Sequence, residues 1–303
     1  GYQKQARIKT NKIDDKFDDL KFDSAFWVNY NYKKLPVNEE IKESFEDRQE
    51  GVLTEYTTTG GYQFTKLDTL QGALTPLRTS YDVGFYHLDV ELFPEEEILE
   101  GSSLIRFKVI KPTDRIQIDF YSEMKIEKIE WRDQELDFNR EYNAVYIDFP
   151  KLLETNSIEA IKVFYSGRPV DYDLSIPMYA SFLWLEDDNG EPWLQAICQG
   201  YGASGWWPNK DHLSDEPDSA RISVTVPKDL DVISNGRLKK ATNIKDDKKR
   251  FEYAVSYPIN NYNITMNVGK YNVTKDVYDN GASKLDLEYY MLEENDSDVK
   301  VTT

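Results

Sequence analysis

The stretch Tyr86-His-Leu-Asp-Val-Glu-Leu92 alternates apolar and polar residues with a period of two. Successive side chains of a β-strand point to opposite faces of the sheet, so this alternation is typical of a strand with one buried and one solvated face. The pattern predicts that Tyr86, Leu88 and Leu92 face a core and that His87 faces solvent.

The same alternation recurs along most of the chain after residue 80. The apolar positions are Ile105/Phe107/Val109, Ile116/Ile118/Phe120, Val145/Ile147/Phe149, Ile161/Val163/Tyr165, Ile222/Val224/Val226, Phe251/Tyr253/Val255/Tyr257 and Tyr262/Ile264/Met266/Val268. Turn signals separate these runs at Glu100-Gly101, 166–169, 188–190 and Asn235-Gly236. Many short strands and few helical runs predict an all-β fold, a large antiparallel β-sandwich or saddle.

The first 64 residues have a different pattern. Residues 12–22 and 39–48 are candidate amphipathic helices, and Ile41 and Phe45 lie four apart on one helix face. We therefore expect an amino-terminal extension over 1–64 that is partly helical or disordered, followed by a β domain over 65–290.

Charge and cysteine content limit the partners and the compartment. The chain has 37 basic and 55 acidic residues, a net charge of −18. This charge repels phosphate backbones and anionic lipid surfaces, so we expect neither nucleic acid nor a membrane surface as a partner. No apolar run approaches the roughly 18 residues of a membrane span. Cys198 is the one cysteine, which rules out an intrachain disulfide. We expect a periplasmic or cell-surface location, and the cytoplasm is equally compatible with this cysteine content.

Residues with catalytic potential are sparse. The two histidines, His87 and His212, do not form a His-Glu-x-x-His zinc motif. His212 is interpreted as a structural hydrogen-bonding residue, and the alternative is a metal site with Asp211 and Asp215. Cys198 lies in an apolar run and is predicted to be a small buried residue rather than a nucleophile. We therefore predict no catalytic and no metal-binding residue in this sequence.

The segment 193–221 is rich in glycine and tryptophan and then becomes acidic. A loop of this composition packs against a large partner or lines a cleft. Trp206 and Trp207 are predicted to fill a core between sheets, and the alternative is a flat platform that stacks on a sugar or a peptide side chain. The acidic turn Asp215-Glu216-Pro217 is expected to fix the loop by accepting backbone and arginine hydrogen bonds, with Arg221 as a candidate donor.

This segment resembles the zinc aminopeptidases of the aminopeptidase N type. In that family a Glu or Gln lies nine residues before a Phe/Trp-Pro step, and here Gln199 precedes Pro208 by nine. Asp215-Glu216-Pro217 matches the acidic turn that follows. Segments 65–83, 226–238 and 262–271 also resemble the family, so the resemblance spans about residues 65–290.

The resemblance implies the amino-terminal β domain of such an enzyme, with residues 291–303 as the truncated start of the catalytic domain. It implies that the free amine of a peptide substrate is bound by Gln199, with Gly202 and Ala203 beside it. The catalytic domain of the same chain and the peptide are then the expected partners, and zinc is expected in that catalytic domain only. A free-standing cell-surface module that binds carbohydrate or peptide is the alternative.

Overall fold

The computed structural model describes residues 66–171, 180–198, 201–281 and 283–292. The amphipathic segments 12–22 and 39–48 lie outside these residues, so their helices remain predictions. Two short helices precede the first strand, α1 (Lys66–Gly72) and α2 (Pro76–Thr79). The predicted strand entry over 65–83 misses both helices. Pro76 is the available signal for α2, because the fixed φ of proline suits the first turn of a helix.

The rest of the regular structure in the described part of the chain is β-strand, apart from two short 3-10 turns at Ala203–Gly205 and Asn261–Asn263. The strands are β1 (Tyr81–Phe93), β2 (Ile98–Val109), β3 (Thr113–Asp119), β4 (Lys125–Trp131), β5 (Gln134–Glu135), β6 (Phe138–Glu141), β7 (Ala144–Leu153), β8 (Ile158–Gly167), β9 (Phe182–Glu186), β10 (Pro192–Ala196), β11 (Ser219–Pro227), β12 (Asp231–Ser234), β13 (Arg237–Ile244), β14 (Lys248–Val255), β15 (Met266–Gly269), β16 (Tyr271–Asp279) and β17 (Lys284–Leu292).

These strands form four sheets. The largest has the order β13-β14-β11-β1-β2-β8-β4-β5, and the others have the orders β12-β15-β10-β9, β3-β7-β6 and β16-β17. The predicted all-β fold is confirmed. One departure from the antiparallel prediction occurs at the centre of the large sheet, where β1 and β11 pair in parallel. Parallel neighbours need a long crossover connection, and the chain from β2 to β10 provides it.

The alternation of apolar residues locates the core correctly. Tyr86, Leu88 and Ile118 are fully buried, and His87 lies half-buried on the opposite face of β1. Every apolar position of the predicted runs is buried except Tyr257 and Tyr262. The period of two therefore predicts the core. In a strand with one face on the core, every second residue faces inwards and is apolar.

Tyr257 and Tyr262 are exposed because the strands are shorter than their patterns predict. β14 ends at Val255, two residues before Tyr257. Asn260 then caps the 3-10 turn Asn261–Asn263, since its side-chain oxygen accepts the main-chain amide of Tyr262 at 3.2 Å. A side chain that bonds the backbone locally competes with strand pairing.

The predicted turn at Glu100-Gly101 is wrong. Gly101 lies inside β2 opposite Val90, and a Cβ at this position would lie 2.8 Å from the Cα of Val90. The glycine marks a close approach of two strands, and the turn itself lies at residues 94–97.

The predicted turn at 188–190 is confirmed as the connection of the β9–β10 hairpin. The carboxylate of Asp187 accepts the main-chain amides of Asn189 and Glu191, each at 2.9 Å. The Asp187 side chain thus stabilises the turn itself.

The described residues contain no helix with the length and apolar character needed to cross a membrane.

Candidate functional site

The loop between β10 and β11 is anchored by its tryptophans. Trp206 and Trp207 are both 0% exposed. The Trp206 indole nitrogen donates to the Cys198 sulfur at 3.2 Å, and the Trp207 ring packs edge-on against Tyr86 with the centroids 4.8 Å apart. The predicted core role of both tryptophans is confirmed. The platform interpretation is wrong, because neither indole presents a face to a ligand.

A cleft of about 650 Å³ lies beside this anchored loop. Its walls come from the end of β10, from the loop between β10 and β11, which we call the glycine-rich loop, and from the residues before β15. The lining residues are Ala196, Ile197, Cys198, Tyr201, Gly202, Asp211, Leu213, Tyr262, Asn263 and Thr265. Among the lining residues, Leu213 and Tyr262 have exposed apolar side chains.

Gly202 holds a backbone conformation that the cleft requires. Its φ is +102°, in a region that residues with a side chain rarely adopt, and a Cβ here would lie 2.5 Å from the Asp211 carboxylate. The carbonyl of Gly202 accepts the Ser181 hydroxyl at 2.8 Å, and its amide donates to the Cys198 carbonyl at 2.9 Å. Glycine at this position therefore lets the loop fold back against Asp211.

Asp211 is the carboxylate of the cleft. It accepts the main-chain amide of Ser204 at 2.9 Å, which ties the glycine-rich loop to the segment after Pro208. Its own amide donates to the Asp119 carboxylate at 3.1 Å, and its carbonyl accepts Arg78 at 2.9 Å. Asp211 thus contributes a carboxylate to the cleft. Its main chain is fixed by hydrogen bonds at both the amide and the carbonyl.

A buried ion pair, Arg78–Asp119, bonds the main chain of Asp211. The side chains of Arg78 and Asp119 are both 0% exposed, and they contact each other directly. Burial raises the pKa of Asp119 to about 7, while the Arg78 guanidinium acts in the opposite direction. The main chains of Asp119 and Asn209 also exchange two hydrogen bonds, at 2.7 and 3.1 Å.

A second buried ion pair fixes the acidic turn. The Lys210 ammonium pairs with Asp215 and donates to the Tyr81 carbonyl at 2.7 Å. Asp215 also accepts the Val83 amide at 3.2 Å. The predicted role of the turn in fixing the loop is confirmed, but the cation that pairs with Asp215 is Lys210, where the sequence suggested Arg221.

The predicted substrate-binding residues are distributed as follows. Gln199 lies outside the described residues, and the residues on either side of that gap, Cys198 and Tyr201, both line the cleft. Gly202 lines the cleft, whereas Ala203 is fully buried behind it. The roles of Gln199, Gly202 and Ala203 in binding stay predictions. The sequence did not assign Asp211 to this cleft.

Tyr201 is a further cleft residue that the sequence did not single out. Its hydroxyl accepts the Asn143 side-chain amide at 2.6 Å, and its ring lies edge-on to Tyr121 with the centroids 5.8 Å apart. The aromatic wall of the cleft is thereby fixed to the sheet that contains β6 and β7. These contacts cross 58 and 80 positions of the sequence, and no local pattern indicates them.

The side chains with reactive potential are held in structural roles. Burial raises the pKa of Cys198 to about 12, so its thiol is protonated at neutral pH. His212 accepts the Ser214 amide at 3.1 Å within its own turn, as predicted for a structural residue. His87 lies on the outer face of the large sheet, with Nε2 3.2 Å from the Ser223 hydroxyl. Across the described ranges, no three His, Cys, Asp or Glu side chains are grouped as metal ligands would be.

Comparison with protein families identifies the chain. The model of the Peptidase M1 N-terminal domain matches residues 80–262, which is more than half of the 303 residues. The chain therefore belongs to the Peptidase M1 N-terminal domain family. No curated protein sequence matches it.

Several solved structures have a similar fold, and two of those compared here come from Deinococcus radiodurans. The M1 zinc metallopeptidase of this organism aligns with a TM-score of 0.60 and 19% identity, over 71% of this chain and 48% of its own. A mutant of an M1 zinc metallopeptidase from the same organism, bound to a Tyr-Ser-Ala substrate, aligns with a TM-score of 0.59 and 20% identity, over 69% and 47%. A two-domain M1 zinc metallopeptidase mutant bound to L-arginine gives 0.60 and 20%, over 71% and 48%. The chain spans about half the length of these structures.

Proposed function

We propose that this chain is the non-catalytic amino-terminal domain of a zinc-dependent metalloaminopeptidase. In this role it forms one wall of the active-site cleft and helps to bind the free amine of a peptide substrate. The observation that carries the proposal is that the family match covers residues 80–262, and most of the residues that line the cleft beside the glycine-rich loop lie within it. Gln199 also lies within these bounds in the sequence.

The electrostatics of the cleft support an ammonium ligand. Asp211 contributes a carboxylate, whereas the nearby cations Arg78 and Lys210 are already paired in the interior. A charged amine is bound best by oxygen acceptors whose positions are fixed in advance. The related structures that hold Tyr-Ser-Ala and L-arginine contain ligands with free amines, which is consistent with this chemistry.

Gln199 would supply a neutral acceptor to the same amine. An amide oxygen accepts a hydrogen bond from an ammonium without adding charge. The charge that attracts the amine then has to come from Asp211 and from carboxylates of the catalytic domain. This division of roles makes the cleft selective for a free amine over an acylated one.

Zinc and the groups that activate water belong to the catalytic domain in this proposal. The described residues offer no set of ligands that fits a zinc ion, so we assign no step of hydrolysis to them. What these residues do is orient the amino end of the peptide and shield it from water. A periplasmic or cell-surface location stays a prediction.

The decisive experiment measures hydrolysis by the full-length protein that carries this domain. We expect chelator-sensitive release of the first residue of a peptide, and little activity on the same peptide with an acetylated amine. Gln199→Ala should lower kcat/KM for the free peptide by roughly 10- to 150-fold, because a hydrogen bond to a charged group contributes about 1.5–3 kcal/mol.

Gln134→Ala is the matched control, since Gln134 is exposed on β5. It should leave kcat/KM unchanged. Equal activity on free and acetylated peptides would contradict amine binding. Absence of any chelator-sensitive hydrolysis would contradict the proposed function as a whole.

A further inference from the structure

Strand β13 forms one edge of the eight-stranded sheet, and its charge is unlike that of the rest of the chain. It pairs with β14 alone, and no other strand of the described residues lies on its open side. Of the 37 basic residues in the chain, seven lie in the hairpin 237–250, together with only two of the 55 acidic residues. Positive charge is thus concentrated at one edge of a strongly acidic protein.

The two strands of this hairpin differ in how their cations are used. The three cations of β14 each pair with a carboxylate outside the hairpin: Lys248 with Glu91, Lys249 with Asp231 and Arg250 with Asp89. The cations of β13 and of the turn after it are all exposed, and these are Arg237, Lys239, Lys240 and Lys245. Within the described ranges, none of these four forms an ion pair. We call β13 with these four cations the basic edge.

The main chain of the basic edge can pair with another strand. After a shift of register between Leu238 and Lys240, the five residues 240–244 keep a regular register with β14. An edge strand presents main-chain N–H and C=O groups that have no neighbour, which makes it a template for a further strand. Leu238 and Ile244 are 47% and 43% exposed, so a strand added here would also bury apolar surface.

The charge of the basic edge determines which strand can be added. Two copies of β13 side by side would bring the four cations of each copy together, and like charges opposite each other destabilise a sheet. Lysine on an edge strand prevents a protein from pairing with itself in this way. The same cations attract a strand that carries carboxylates, so they exclude a second copy and favour an acidic partner.

We propose that the basic edge binds an extended acidic segment of a partner protein, which adds to the large sheet as a strand beside β13. Main-chain hydrogen bonds hold such a segment in place, and carboxylates opposite the cations make the binding specific. A peptide fits this edge better than a nucleic acid, because only a peptide strand satisfies the open main-chain groups. A nucleic acid would also extend its phosphates towards the acidic remainder of the chain.

Short peptides with blocked ends test the proposal in the full-length protein by isothermal titration calorimetry. The probe is an acetylated and amidated peptide of alternating glutamate and valine, matched in length to the eight residues of β13. A lysine–valine peptide tests the charge, and a glutamate–proline peptide tests strand pairing, because proline has no main-chain N–H. We expect the glutamate–valine peptide to bind roughly tenfold or more tightly than either. Its acetylated end has no free amine, so the cleft does not contribute.

Two double variants with the same loss of charge locate the binding site. Lys239→Gln/Lys240→Gln removes two cations of the basic edge and should weaken binding by roughly fivefold or more, since each exposed ion pair contributes modestly. Lys248→Gln/Lys249→Gln is the matched control, because both lysines are already paired with carboxylates of this chain. It should change the affinity by less than about twofold. Amide hydrogen exchange should slow over 237–244 when the glutamate–valine peptide is bound.

Three results overturn the proposal. If the glutamate–proline peptide or an oligothymidylate of the same length binds equally well, the edge attracts any anion and forms no strand pair. If the glutamate–valine peptide does not bind at millimolar concentration, the lysines only prevent self-association. If the Lys239→Gln/Lys240→Gln variant binds as tightly as the wild type, the peptide lies elsewhere. None of these results depends on hydrolysis, so the proposed function is tested separately.

Discussion

Arg78 and Asp119 form an ion pair in which both side chains are fully buried. Arg78 also donates to the carbonyls of Gln71, Ala73 and Asp211, at 2.5, 3.1 and 2.9 Å. One guanidinium therefore joins the end of α1, strand β3 and the loop that carries the cleft carboxylate. Both members of the pair thus bond the main chain of Asp211, Arg78 at its carbonyl and Asp119 at its amide.

Removing one member of this pair should destabilise the domain strongly. Asp119→Asn leaves the Arg78 charge buried without a counterion, which costs about 3–5 kcal/mol in the free energy of unfolding. Urea denaturation measures this loss. Asp148→Asn is the matched control, because Asp148 pairs with Arg115 at 3.4 Å on the surface with more than a third of each side chain exposed. The control should cost less than about 1 kcal/mol.

The double variant Arg78→Met/Asp119→Leu shows how much of the loss in Asp119→Asn comes from leaving the Arg78 charge buried without a counterion, since it removes both charges. Replacing both charges with apolar side chains of similar size should recover part of what Asp119→Asn loses. A double variant less stable than the single variant would show that the hydrogen bonds of Arg78 to the three carbonyls dominate.

Gly202→Ala should destabilise the loop, which a lower melting temperature of the domain would show. The positive φ alone costs about 1 kcal/mol for an alanine, and the contact with Asp211 adds to it, for a total of about 2–3 kcal/mol. Gly190→Ala is the control, because Gly190 also has a positive φ but nothing lies within 4 Å of a Cβ there. Equal losses of melting temperature in the two variants would mean that Asp211 moves aside freely.

Local patterns predicted the strands but not the pairs that build the cleft. Tyr86 and Leu88 were placed correctly because the period of two is a property of the chain itself. Arg78 and Asp119 are 41 positions apart in the sequence. No local pattern around either residue predicts that the other is its partner. Gly101 shows the same limit. The sequence cannot distinguish a glycine in a turn from a glycine inside a strand that closely approaches its neighbour, because the difference lies in the residues across the sheet.

His87 should make stability depend on pH. Burial lowers its pKa to about 4, whereas an unfolded histidine has a pKa of about 6.5. Between these values the unfolded chain binds more protons than the folded one, so stability falls as the pH decreases from about 6.5 to 4. From pH 7.5 to 5 the wild type should lose about 2 kcal/mol more than His87→Gln does, measured by urea unfolding. Identical pH dependence of the two proteins would contradict a half-buried His87 imidazole that stays neutral down to about pH 4.

Cys198 should be unreactive until the domain unfolds. Its side chain is buried, its pKa is raised to about 12, and the Trp206 indole lies against the sulfur. Thiolate is the reactive form, and at pH 8 it amounts to roughly one part in 10,000. Ellman's reagent should therefore detect no Cys198 thiol in the folded chain and one in urea. Rapid reaction of the folded chain would contradict a buried, protonated Cys198 thiol.

Gln199→Glu tests the amine-binding role from the opposite direction to a truncation. A carboxylate opposite an ammonium forms a charge-assisted bond, so the full-length variant should keep its kcat/KM for a free-amine peptide or raise it. The effect should appear in KM and should shrink at high salt, because dissolved ions screen the attraction between a carboxylate and an ammonium. If Gln199→Ala and Gln199→Glu both lower the melting temperature while kcat and KM stay at wild-type values, Gln199 supports the loop and does not contact the substrate.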